Sequence, residues 1–111
     1  KTGFHKFRGD EEYSLYAPGI KAEVGFWLRE EHGNIRAIGL DFISLSSYQN
    51  REEGRGAHKA FLDPGAKGNP ILIVEDMNLD GDLNGLKKVI IAPLLIEGID
   101  STPCTVISIL E

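Results

Sequence analysis

The sequence predicts a mixed α/β fold, in which strands and helices alternate in the first half and strands alone follow in the second. Three observations support this class: one stretch has the apolar spacing of an amphipathic helix, several runs rich in β-branched residues and leucine have strand length, and clusters of Asp, Gly, Asn and Pro separate them. The 111 residues are 41% hydrophobic and 26% charged, which is typical of a globular protein and suits a single domain over residues 1–111.

The first half is predicted to hold two helices around one buried strand. Residues 1–18 contain recurrent turn residues and suggest the tail of a strand and then a loop. Apolar residues at 20, 24, 27 and 28 follow helical spacing up to a Gly-Asn stop at 33–34, so we expect Trp27 in the core. Residues 35–41 suit a strand buried on both faces that carries Asp41 into a loop. A short helix over 57–62 follows, with His58 near its start.

The second half is predicted to contain three successive strands. Residues 63–70, which include two glycines and two prolines, form a turn or exposed loop. Strands follow over residues 71–74, 89–96 and 104–110, and Pro93 marks an edge position or a bulge. Cys104 is the only cysteine and lies in an apolar run, so we expect an inert core residue and no disulfide. These elements predict a mixed sheet with flanking helices.

The charge balance limits the partners of the protein. A net charge of −5 argues against a nucleic acid or an anionic membrane as the main partner. No stretch approaches the roughly 18 apolar residues of a membrane span, and no charged-then-apolar leader is present. We therefore expect a cytoplasmic protein with neither a nucleic-acid nor a membrane partner.

The segment 76–84 has the most regular spacing of oxygen ligands. Asp76, Asn78, Asp80, Asp82 and Asn84 occupy alternate positions around a glycine at 81, as in a calcium-binding loop. The twelfth position, which should supply a bidentate carboxylate, is a lysine at 87, and a strand precedes the loop where a helix is required. A calcium-binding module is one alternative function, and a solvated polar turn is the structural alternative.

His58 and Glu75 form a second candidate site. Glu75 closes the strand over residues 71–74, and the ends of buried strands are where open α/β sheets assemble sites. A histidine and a glutamate can together hold a divalent metal ion and leave room for an activated water, although two ligands alone make a weak site. No glycine-framed elbow surrounds Ser44, Ser46 or a neighbouring serine at 47, which argues against a serine hydrolase.

Seven segments, in order along the chain, form a recognisable series. Among them are Ile-Arg-Ala-Ile-Gly-Leu-Asp-Phe-Ile-Ser, Ala-His-Lys-Ala-Phe-Leu and Ile-Leu-Ile-Val-Glu-Asp-Met-Asn-Leu. The segments cover residues 1–4, 16–20, 27–28, 35–44, 57–62, 71–79 and 91–98. Together they resemble the C-terminal half of the cyclase family that includes bacterial kynurenine formamidases and isatin hydrolases, and the resemblance runs across essentially all 111 residues.

The resemblance implies a swivelling β/β/α fold and metal-dependent hydrolysis of amide or lactam C–N bonds, of the arylformamidase type. It implies zinc or manganese as the cofactor, with His58 and Glu75 as metal ligands and a small amide or lactam as the substrate. In such an enzyme the metal ion acts as a Lewis acid and activates the attacking water. Glu75 would bridge two ions if the site is dinuclear.

One family signature is absent from the chain. The N-terminal His-x-Gly-Thr-His-x-Asp-x-Pro segment, which supplies most metal ligands and the acid/base of the family, has no counterpart here. We therefore expect an incomplete portion of the full domain, with its catalytic residues in the missing N-terminal half and little or no turnover of its own. Bare sheet edges suggest a homo-oligomer or pairing with that half. A non-catalytic scaffold domain is the third functional alternative.

Overall fold

A computed structural model of the chain describes residues 1–111 throughout. The chain divides into two compact units, Lys1–Asp80 and Gly81–Glu111. Helices and a parallel pair of strands form the first unit, and an antiparallel pair of strands forms the second. The mixed α/β class is therefore confirmed, with parallel and antiparallel pairing located in two separate sheets. The single domain over residues 1–111 stays a prediction.

The N-terminal segment is helical, so the strand tail predicted there is wrong. A 3₁₀ helix covers Phe4–Phe7, and helix α1 covers Glu11–Leu15. The backbone amides of Thr2 and Gly3 bind the side chain of Asp41 instead of a neighbouring strand. This contact with Asp41 holds the start of the chain in place. Strand propensity cannot predict it, because it depends on a side chain that is distant in the sequence.

Helix α2 covers Ala22–Glu31, as its apolar spacing predicts, but its buried face is a different one. Val24 and Trp27 are 39% and 55% exposed, whereas Gly25 and Arg29 are buried. A Cβ atom at position 25 would overlap the ring of Phe61, so the absence of a side chain lets the two backbones approach closely. The prediction of Trp27 as a core residue is wrong, because this close approach places Gly25 against the core, whereas of the apolar stripe only Ile20 and Leu28 pack against it.

Helix α3 covers Arg51–Leu62 and begins six residues before the predicted start at residue 57. Its first turn contains Glu52 and Glu53, and acidic side chains there interact favourably with the helix dipole. A 3₁₀ helix over Tyr48–Asn50 leads into it. His58 consequently lies two turns inside the helix and not near its start.

A parallel sheet and a small core complete the first unit. Strand β1 (Ala37–Gly39) pairs with strand β2 (Leu72–Val74), with Ile38 opposite Ile73. The core centres on three fully buried side chains, Phe61, Leu45 and Ile71. The guanidinium of Arg29 stabilises the end of α3 and the loop after it, because it donates hydrogen bonds of 2.8–3.4 Å to four carbonyl oxygens. Those oxygens belong to Ala60, Phe61, Ala66 and Gly68.

The second unit is a β-hairpin. Strand β3 (Leu86–Pro93) pairs antiparallel with strand β4 (Cys104–Leu110), and the register shifts once between Leu86 and Lys88. Pro93 ends β3, which agrees with the restriction of proline to strand ends and edges. Cys104 is exposed, so its prediction as a core residue is wrong.

No helix of the structure has both the length and the apolar character needed to cross a lipid bilayer.

Candidate functional site

The parallel pairing of β1 and β2 determines the position of Glu75. Because parallel strands end at the same edge of a sheet, Glu75 after β2 lies beside the loop that follows β1. Hydrogen bonds continue past the strands, from the amide of Leu40 to Val74 O at 2.8 Å and from the amide of Asp76 to Phe42 O at 3.0 Å. The Glu75 carboxylate thereby reaches Ser44 and Leu45.

The structure brings His58 and Glu75 together. His58 Nε2 lies 3.4 Å from Glu75 Oε1, well within the reach of a shared metal ion. The two side chains are 35% and 32% exposed, so an ion or a small molecule can reach them from solvent. The sequence-based expectation that these residues converge agrees with this geometry, whereas metal binding by them stays a prediction.

The partner of the other ring nitrogen determines the tautomer of His58. Nδ1 lies 2.9 Å from the carbonyl oxygen of Gly54, one turn earlier in α3. A carbonyl oxygen can only accept a hydrogen bond, so we assign the proton of the neutral ring to Nδ1. In the neutral ring Nε2 then carries the lone pair, and it lies 3.4 Å from the Glu75 carboxylate. Metal-binding histidines have this arrangement, in which the second nitrogen donates to a backbone carbonyl.

Residues 44 and 45 also bind the Glu75 carboxylate. The amide of Leu45 donates to Oε1 at 2.6 Å, and the hydroxyl of Ser44 donates to the same oxygen at 3.1 Å. Both hydrogen bonds fix the rotamer of the carboxylate through one oxygen.

Ser46 gives the site a superficial likeness to a serine hydrolase. Its Oγ lies 3.2 Å from His58 Nδ1, and His58 in turn lies beside Glu75, so the three side chains are in the order nucleophile, base and acid. A base must carry its lone pair on the nitrogen that faces the hydroxyl. The Gly54 carbonyl keeps a proton on that nitrogen, and the Leu45 amide already binds Glu75. This geometry disfavours Ser46 as a nucleophile.

The acidic residues of the calcium-loop alternative do not converge. The Asp76 side chain, on a residue with a left-handed φ of 56°, binds Arg8 at 2.8 Å and the hydroxyl of Tyr13. Burial and the Asp76 contact raise the pKa of Tyr13. Asp80 accepts from His5 Nε2 at 2.7 Å. No group of three or more His, Cys, Asp or Glu side chains is placed to hold a metal ion, so the calcium alternative has no structural support.

Sequence reasoning missed Ser44 and Ser46 as parts of the site, and it assigned no functional role to His5. The side chain of His5 is only 9% exposed and lies between Asp41 and Asp80. Ser44 and Ser46 could have been predicted from the pairing of the strands. They follow β1, which lies parallel to β2, and Glu75 follows β2. No local motif marks a residue that holds a ligand in place.

Comparison with known proteins gives one informative similarity. The chain is 30% identical over 93 residues to Cyclase-like protein 1 of Arabidopsis thaliana. The alignment covers 84% of this chain and 33% of that protein, so the chain spans about a third of the length of the curated relative that it matches. No family model matches the chain, and no solved structure matches it. The similarity points to the cyclase-like proteins and does not specify an activity.

Proposed function

We propose that this chain supplies two ligands, His58 and Glu75, to the divalent metal site of a cyclase-type hydrolase that cleaves amide or lactam C–N bonds. The observation that carries the proposal is the approach of His58 Nε2 to the Glu75 carboxylate at 3.4 Å. That distance lets one ion bind both atoms, because zinc lies about 2.0–2.2 Å from its nitrogen and oxygen ligands. A cation between the two acceptors would satisfy both.

The donor types fit zinc or manganese. Imidazole nitrogen suits zinc, and a carboxylate suits both metals. When bound, such an ion polarises a carbonyl group and lowers the pKa of a coordinated water. The chain itself holds the Nε2 lone pair in place through Gly54 and holds the carboxylate through Ser44 and Leu45. These contacts orient both side chains, which supports a shared metal ion between them.

The substrate class rests on similarity. The ordered resemblance to kynurenine formamidases and isatin hydrolases favours a formyl amide or a lactam, and the similarity to a cyclase-like protein supports the same family. The family's histidine-rich N-terminal signature is absent from the 111 residues, and two ligands make a weak site. We therefore propose that the remaining ligands come from a further polypeptide segment, and that the chain alone shows little or no turnover.

Metal titration of the 111-residue chain tests the proposal. Mn²⁺ is added while amide NMR signals are recorded, because this paramagnetic ion broadens the signals of nuclei near its binding site. We expect selective broadening around residues 44–46, 58 and 75, with an affinity that His58→Ala and Glu75→Gln each lower at least about tenfold. Zn²⁺ should displace Mn²⁺ and restore the signals.

His32→Ala serves as the matched control, since the His32 ring packs edge-on against Trp27 and lies outside the candidate site. It should leave the titration unchanged. Broadening that is uniform, or that follows the acidic residues 76–82 and survives Glu75→Gln, would contradict the proposal. No binding of either ion would favour the scaffold alternative.

A further inference from the structure

Three consecutive residues, 44–46, together contact the two proposed metal ligands. Ser44 Oγ and the Leu45 amide bind Glu75, and Ser46 Oγ lies 3.2 Å from His58 Nδ1. We call residues 44–46 the ligand cradle. One short segment therefore couples the orientation of a side chain on α3 to that of a side chain after β2.

The ligand cradle is itself held firmly. The side chain of Leu45 is fully buried in the core, and its carbonyl oxygen accepts a hydrogen bond of 2.9 Å from the amide of Ile20. The backbone of α3 at Gly54 packs directly against Ser46, where even a methyl group would overlap the serine side chain. The cradle is thus fixed by the core on one side and by α3 on the other.

The hydroxyl of Ser44 has one defined direction. Its oxygen accepts a hydrogen bond of 3.2 Å from the amide of Ser46, and its single proton goes to Glu75 Oε1 at 3.1 Å. The hydroxyl therefore connects the backbone of the cradle to the carboxylate. Both hydrogen bonds to Glu75 end on Oε1, which orients Oε2 without engaging it.

We infer that Ser44 is the positioning residue for Glu75: it fixes the rotamer in which the carboxylate faces His58, and so determines the affinity of the site for a divalent cation. This inference rests on the proposed function. Groups that orient metal ligands from behind typically change affinity by about 10–100-fold. Because Leu45 still holds Oε1 when the hydroxyl is removed, we place the effect of Ser44 near the lower end of that range.

The test compares three serine variants in the same Mn²⁺ and Zn²⁺ titrations. Ser44→Ala should weaken binding about tenfold. Ser44→Thr keeps the hydroxyl and should restore affinity to within about threefold of the unmodified chain. Ser47→Ala is the matched control, because the Ser47 hydroxyl accepts from the amide of Gln49 and contacts neither ligand.

The outcomes separate this inference from the proposal beneath it. If the unmodified chain and Glu75→Gln bind Mn²⁺ equally, the proposed metal site is wrong. If Glu75→Gln abolishes binding while Ser44→Ala binds like the unmodified chain, the site stands and the role of Ser44 is overturned. Denaturant unfolding without metal measures the stability of each variant. If Ser44→Ala loses affinity only in proportion to a loss of stability, and Ser44→Thr does not restore the affinity, the positioning role is also overturned.

Discussion

Asp41 is a fully buried carboxylate that the start of the chain surrounds with donors. Its oxygens accept from the amide and hydroxyl of Thr2 at 2.8 Å and from the amide of Gly3 at 2.6 Å, and His5 Nδ1 lies 3.3 Å away. Burial acts to raise the pKa of Asp41, but these hydrogen bonds outweigh it and hold the pKa well below the ordinary value of 3.8. The carboxylate therefore ties residues 2–5 to the end of β1.

The lowered pKa makes a prediction about acid stability. A group whose folded-state pKa is depressed stabilises the fold fully above its unfolded pKa, and that contribution declines as the pH falls from there towards the lower, folded-state pKa. Asp41→Asn should therefore lower the free energy of unfolding by about 2 kcal/mol at pH 7. The difference from the unmodified chain should shrink as the pH falls from about 4, near the ordinary pKa of aspartate.

Urea unfolding followed between pH 2 and 7 measures this difference. Asp100→Asn is the control, because Asp100 is exposed and lies in the other unit. A stability difference for Asp41→Asn that stays constant over the whole pH range would show that the charge of Asp41 is not what stabilises the N-terminal segment.

At the scale of elements, α3 contains two glycines with opposite environments. A methyl group at Gly54 would overlap Ser46, whereas at Gly56 the nearest neighbour would be Ala22 Cβ at 3.9 Å. Alanine is the better helix former by about 0.5–1 kcal/mol. Gly56→Ala should therefore stabilise the protein by that amount, and Gly54→Ala should destabilise it by about 1–3 kcal/mol through overpacking.

The two variants are a matched pair, since they make the same change on the same helix. Thermal or urea unfolding gives their stabilities, and NMR shifts of residues 44–46 report any displacement of the ligand cradle. The shifts should move in Gly54→Ala alone. Equal stabilisation by both substitutions would show that Ser46 gives way easily and that α3 does not hold the cradle.

The sequence predicted the elements better than their faces. The spacing correctly predicts a helix, yet the buried residues of α2 are Gly25 and Arg29. Arg29 is buried because its guanidinium donates to carbonyl oxygens such as that of Ala66. Gly25 is buried because it has no side chain to overlap the ring of Phe61. Both reasons depend on residues 31–39 positions away in the sequence. The convergence of His58 and Glu75 was expected from the resemblance, and their distance agrees with that expectation. The ligand cradle was not predicted, because its hydrogen bonds to Glu75 join residues that are distant in the sequence, and such contacts leave no local sequence pattern.

At the scale of the whole molecule, the two units differ in how they bury apolar side chains. The first unit has a core, but most residues of the hairpin are exposed on both faces. A two-stranded hairpin alone is marginally stable in water. Lysines, a bulge and Pro93 protect β3 as an edge, whereas β4 is a run of seven uncharged residues without proline. The less protected backbone edge of the hairpin is therefore β4.

This asymmetry predicts concentration-dependent self-association through the hairpin. Ile107 is 50% exposed at the centre of β4 and lies opposite Ile90. Ile107→Lys places a charge where two copies would meet, and like charges brought together there should weaken association at least about tenfold. Val24→Lys, which makes the same change at an exposed residue of α2, should leave association unaltered. Sedimentation in reducing buffer measures both, because the exposed Cys104 could otherwise form an intermolecular disulfide. If the unmodified chain is a monodisperse monomer up to millimolar concentration, the edge of β4 is not an association surface.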